Sequence, residues 1–176
     1  KPIERFHKVD LTDEQYRVYN QILQQVVDAL QAEIDKNEAL RSLLTAQDPD
    51  GDGEFEDAVV SIDQLLKPYL ARLERFITAP GKDVLGAEVL KGDDLISPKA
   101  KKIAELASEH VRQGTPGKVL IFTNYTLSAE AIVEAFDEDM RSKVIHYTVD
   151  RKEEFLSQFD NDDTKQILVG VEQSLN

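Results

Sequence analysis

The sequence predicts an α/β protein: a parallel sheet flanked by helices, preceded by an α-helical hairpin. Three observations predict it. From Ser97 onward, short apolar runs alternate with amphipathic stretches of helical period, the pattern of successive βα units. The apolar runs are continuous rather than alternating, as in strands buried on both faces of a parallel sheet. Ahead of them, two long stretches place apolar residues at spacings of three and four, the period of a helix with one buried face.

The elements follow in order. "TDEQ" (12–15) reads as a capping box, with Thr12 at the N-cap and Gln15 three residues on; each side chain can satisfy the other residue's backbone N–H. Its letters are similar to a helicase DExx box, but no apolar strand precedes Asp13 and a helix follows. Tyr16, Tyr19, Leu23, Val26 and Leu30 then form one stripe, extended less regularly by Ile34, Leu40, Leu43 and Leu44. Val59, Ile62, Leu66, Tyr69, Leu73 and Phe76 form a second. Pro68 lies inside it, lacks an N–H, and is expected to kink or split that helix. Residues 1–80 are therefore read as a helical hairpin, the Gly-rich aperiodic residues 81–96 as a linker, and residues 97–176 as the α/β part.

In that last part "SPKAKKIAELASEHVRQG" is a helix with Ser97 as N-cap, Pro98 in the first helical position and Gly114 as its stop. "KVLIFT", "KVIHYT" and "QILVGV" are strands, expected near 118–123, 143–147 and 166–171. "LSAEAIVEAF" and "RKEEFLSQF" are the helices between them.

Composition excludes several classes. The chain has 176 residues, 41% hydrophobic and 31% charged, enough for a packed core and not the make-up of a disordered chain. It has no Cys, so disulfides and thiolate-bound zinc are excluded and a reducing, intracellular compartment (cytoplasmic, or nucleoid or nuclear) is expected. No run of about 18 apolar residues exists to span a membrane. "KPIERFHKVD" lacks the apolar core of a signal peptide. The first residue is Lys1 rather than Met, and the chain is read as an excerpt. Net charge is −13, divided −7 before and −6 after the end of the hairpin at Pro80. Such a chain repels phosphate backbones on average, so any nucleic-acid contact must be local.

Four places could carry chemistry. "DPDGDGEFEDAV" (48–59) is similar to a calcium loop, with Asp48, Asp50 and Asp52 at alternate positions and Gly53 next. Val59 stands where the bidentate Glu should be, so no specific calcium site is expected and the stretch reads as an acidic turn. "GTPGKV" (114–119) hints at a phosphate loop, but Val119 follows Lys118 where Ser or Thr is needed, and the strand comes after rather than before. His7, His110 and His146 have no metal-ligand spacing. His110 reads as a packing residue, and His146 draws notice because it is near a strand's C-terminal end. "TNYT" (Thr123, Asn124, Tyr125, Thr126) lies between a strand and the next helix, where ligands of α/β sheets bind and where helix N–H groups can hold a phosphate. The plainer reading is ordinary N-capping by Thr126 or a neighbour. No catalytic residue and no metal ligand is assigned.

From Ser97 on, the chain resembles the second RecA-like lobe of superfamily-two helicases, in particular the Swi/Snf-like DNA-dependent ATPases. "SPKAKKIAELASEHVRQGTPGKVLIFTNYT" is similar to that family's lead-in helix and motif IV. "RKEEFLSQFDNDDTKQILVGVEQSLN" is similar to its next helix, with Arg151 and Phe159 at the usual places, and to the strand entering motif V. "VDLTDEQYRVYNQI" resembles the segment leaving the first lobe, and "LLKPYLARLERFITAP" the helix returning toward the second. The resemblance implies a partial RecA-like helicase C-terminal lobe behind a helical protrusion. It implies an ATP-dependent helicase or translocase as parent, with ATP and Mg as that parent's cofactors. The implied partners are DNA or RNA and the first RecA-like lobe, with the strand backbone gripped at Thr123, Asn124, Tyr125 and Thr126. The first lobe's phosphate loop and DExx box, and the arginine fingers of motif VI, are not among these residues. The loop after "VIHYT" is shorter than usual in the family. The segment alone is thus expected to be inactive. The rival expectation is a non-enzymatic interaction module whose acidic hairpin binds a protein partner or a cation.

Overall fold

The capping box starts the first helix as its two side chains require. Thr12 N–H donates to Gln15 Oε1 (3.2 Å) and Gln15 N–H donates to Thr12 Oγ1 (3.3 Å). The computed structural model describes residues 6–36 and 54–171, the side chains of 54–62 and of Val149 excepted. The acidic stretch with Asp48, Asp50 and Asp52, the continuation of the first stripe through Leu40, Leu43 and Leu44, and the side chains of Val59 and Ile62 lie outside the described residues.

The chain divides into two units, Tyr16–Glu74 and a second that joins Lys1–Gln15 to Arg75–Asn176. The first is built from α1 (Asp13–Lys36) and α2 (Glu54–Thr78). On α1 the buried residues are Val18, Ile22 and Val26, spaced by four. The expected stripe is corrected by one position, since Tyr16 and Leu23 are exposed. Tyrosine combines an apolar body with a polar tip and serves well at a boundary; the Tyr16 and Tyr19 rings stack on each other at 6.5 Å. On α2, Leu73 and Phe76 are buried and Leu66 and Tyr69 half-buried, as the spacing predicts. The helix continues through Pro68 as a single element, with that residue on its exposed side. Arg72 Nη1 donates to Gln25 Oε1 across the two helices (2.9 Å).

The second unit holds the sheet. Residues 80–96, read as an aperiodic linker, carry a 3-10 turn at Pro80–Lys82, the short α3 (Val84–Val89) and a second 3-10 turn at Gly92–Leu95. Side chains distant in sequence fix them. Gln15 Nε2 donates to Asp94 O (2.7 Å) and Ile96 O (3.2 Å), and Thr12 Oγ1 to Asp94 Oδ1 (2.7 Å). Asp83 caps α3 through the N–H groups of Leu85 and Gly86. Lys82 Nζ reaches Glu134 Oε1 at 2.6 Å.

Then follow α4 (Pro98–Arg112), β1 (Val119–Thr123), α5 (Thr126–Glu134), α6 (Glu138–Arg141), β2 (Val144–His146), a 3-10 turn at Val149–Arg151, α7 (Lys152–Asn161) and β3 (Ile167–Val171). Ser97 caps α4 through Ala100 N–H (3.0 Å). Gly114, at φ 62°, ends it, with Gly114 N–H on Val111 O and Thr115 N–H on His110 O, the paired bonds of a Schellman stop. The three strands form one all-parallel sheet in the order β1-β3-β2. Helices cover both faces. Ala100, Ala104 and Ala107 of α4 and Ala129 and Ile132 of α5 pack with Ile121, Ile167 and Val169. Phe159 of α7 packs with Ile145, Tyr147 and Leu168 on the opposite face. The chain is therefore α/β, a small parallel sheet between helices. Among the described residues no helix is long and apolar enough to cross a membrane.

Candidate nucleic-acid interface

β1 ends at Thr123 and α5 begins at Thr126, so two residues turn the chain at the sheet's C-terminal edge. Ligands of parallel sheets meet the protein at this edge. Asn124 and Thr126 are exposed, and Thr123 and Tyr125 half-buried. The N-cap of α5 is Tyr125, in extended conformation, and no side chain caps the helix. Ser128 and Ala129 N–H both donate to Tyr125 O (3.1 Å). The N–H groups of Thr126 and Leu127 have no hydrogen-bond partner among the described residues. Ordinary capping by Thr126 is thus not what this turn does. It leaves donors at the positive end of a helix dipole, beside a hydroxyl and an amide that face solvent.

A cation adjoins the cluster. The Arg75 guanidinium carbon lies 5.7 Å from the centroid of the Tyr125 ring, within reach of a cation–π contact. Arg75 comes from the last turn of α2, some fifty residues earlier in the chain, and the only sequence signal for it is the helix that carries it. The arrangement of hydroxyl, amide, helix N–H groups and guanidinium offers donors to an anion and reads no base edge.

The other singled-out residues fall elsewhere. Lys118 of "GTPGKV" turns its ammonium to the C-terminal end of α7, donating to Phe159 O and to Asp162 O (3.1 Å), 5.0 Å from the Phe159 ring centroid. It caps a helix and does not fit as a phosphate lysine. His110 Nε2 lies 3.3 Å from Gly117 O, beside the turn that ends α4. His146 is level with Val169 and, through it, with Ile121. It stands across the central strand from β1, about 10 Å away at ordinary strand spacing, and takes no part in the cluster. Arg151 pairs with Glu154, Nε to Oε2 at 2.9 Å, and lies 4.8 Å over the Phe155 ring. That ion pair holds the Glu154 carboxyl below the usual carboxylate range and raises Arg151 further. Among the described residues no group of three or more His, Cys, Asp or Glu is placed to hold a metal. No protein-family model, no curated protein and no solved structure matches the chain.

Proposed function

We propose that this chain is a segment of a Swi/Snf-like ATP-driven helicase or translocase, and that Thr123, Asn124, Tyr125 and Thr126 contact the nucleic-acid backbone. The observation that carries the reading is the uncapped start of α5 at the C-terminal edge of β1, with Arg75 beside Tyr125. Neutral hydroxyl and amide donors with helix N–H groups hold a phosphate whatever the base, which suits a motor that steps along any sequence. A partial RecA-like lobe is the finer form of the small parallel sheet. ATP and Mg belong to the parent. The residues here do not fit an ATP site by themselves, since Lys118 is committed to α7. The chain alone is therefore expected to show no ATP turnover in a phosphate-release assay.

The test is fluorescence anisotropy with a labelled DNA oligonucleotide, at low and at physiological salt. The account expects weak binding that falls with salt, because phosphate contacts release counterions and the net charge of −13 opposes them. Thr123→Ala with Asn124→Ala should remove the low-salt binding. Equal binding by the double variant would refute the assignment of these residues.

A further inference from the structure

β1 stands at an edge of the sheet but has the sequence of an interior strand. In the order β1-β3-β2 it is paired on one side only. Val119 N–H donates to Gln166 O (2.8 Å). By the alternation of a parallel ladder, residues 119, 121 and 123 then bond to β3, and Leu120 and Phe122 turn N–H and C=O to the open side. Among the described residues no hydrogen bond reaches those N–H groups. The side chains of the same two residues are uncovered, Leu120 at 56% and Phe122 at 44% exposure. They stand on the α7 face of the sheet, where Phe159 packs over β2 and β3. On the opposite face the same strand borders an apolar groove of about 300 Å³, lined by Ile103, Leu106, Ala107, His110, Val119 and Ile121. Edge strands that face water are ordinarily blunted by a charge, a proline or a bulge; "VLIFT" carries no charge and no proline.

An occupant must satisfy backbone groups and two apolar faces together. A helix bonds its own N–H and C=O groups and would leave those of Leu120 and Phe122 unpaired. A small apolar molecule would fill the groove on one face only. A second copy would bring one net charge of −13 against another. We infer that the open edge of β1 is a docking site for an extended polypeptide strand, apolar at successive positions and matched to the five residues of β1, that joins the sheet as a fourth strand. Its backbone pairs with Leu120 and Phe122. Its alternate side chains cover those two on one face and fill the groove on the other. A strand with polar alternate residues would bury them against one of the two faces and be rejected. This inference rests on the edge geometry and is independent of the nucleic-acid reading.

The test uses the whole chain and a synthetic peptide of alternating valine and isoleucine, as long as β1 and flanked by lysine pairs. A second peptide is N-methylated on the amides of one edge and a third alternates valine with serine. Residue-resolved amide exchange is followed with and without each. The expected result is slowing by roughly tenfold or more at Leu120 and Phe122 with the first peptide only. It should be lost in the Leu120→Lys, Phe122→Lys variant, whose thermal midpoint, measured alongside, shows that it is folded. Three results would overturn the inference. One is no slowing. Another is equal slowing by the N-methylated or serine peptide, which means groove filling without pairing. The last is slowing without peptide that rises with protein concentration, which means a second copy.

Discussion

Gly86 sits where a methyl group has no room. A Cβ there would lie 2.0 Å from Pro80 O and 3.2 Å from the Phe76 ring, and a backbone oxygen cannot swing aside. Gly86→Ala should therefore lose about 3 kcal/mol, the upper end of overpacking effects, read as a lower urea midpoint at unchanged slope. Gly92 is the opposite case. It has φ 56° and open space around it, so alanine there should cost only the left-handed strain of about 1–2 kcal/mol. Gln15 is fully buried, and its amide satisfies Asp94 O, Ile96 O and Thr12 N–H. Gln15→Leu leaves those groups without their partner and should cost about 1–3 kcal/mol in the same measurement. The sequence revealed half of this. The capping box made Gln15 a helix-start residue, because its partner stands three positions away. The bonds to Asp94 and Ile96 cross some eighty residues, and nothing local signals them. Gly86 was likewise hidden in a stretch that reads as a linker, because its constraint is a close approach to Pro80 rather than a pattern.

Among the elements, the strands were the most legible. Expected near 118–123, 143–147 and 166–171, they run Val119–Thr123, Val144–His146 and Ile167–Val171, because a continuous apolar run between helices has one stable use in a parallel sheet. The first helical stripe slipped by one position because two tyrosines occupy its margin. The turn "TNYT" was placed correctly between strand and helix, but its capping was not: Tyr125, not Thr126, is the N-cap and no side chain closes the helix. The lysine after Gly117 illustrates how a motif fragment acquires a structural use. Lys118→Met removes charged donors from two carbonyls at the end of α7 and should cost about 1.5–3 kcal/mol. The loss should appear in urea denaturation, with helix α7 and strand β1 losing amide protection together.

For the molecule as a whole, acid is the expected weakness. Asp137 is held below the usual carboxylate range by the Met140 N–H and the Arg112 guanidinium, Glu154 by Arg151, and Asp162 by the Thr164 hydroxyl and N–H. A carboxyl whose folded value lies below its unfolded one adds stability above the unfolded value and loses it as pH falls through the folded one. The thermal midpoint should thus be level near neutrality and fall below the ordinary values of 4.5 for Glu and 3.8 for Asp. Asp137→Asn should flatten that fall, and a profile with the same steepness would remove Asp137 from the account. The molecule's central claim concerns the turn after β1. Its most direct measurement is made in the full-length motor, with Thr123 and Asn124 replaced by alanine and ATPase followed with and without DNA. The account predicts that stimulation by sub-saturating DNA falls while basal turnover holds. Unchanged stimulation would contradict it and leave the turn only the start of a helix.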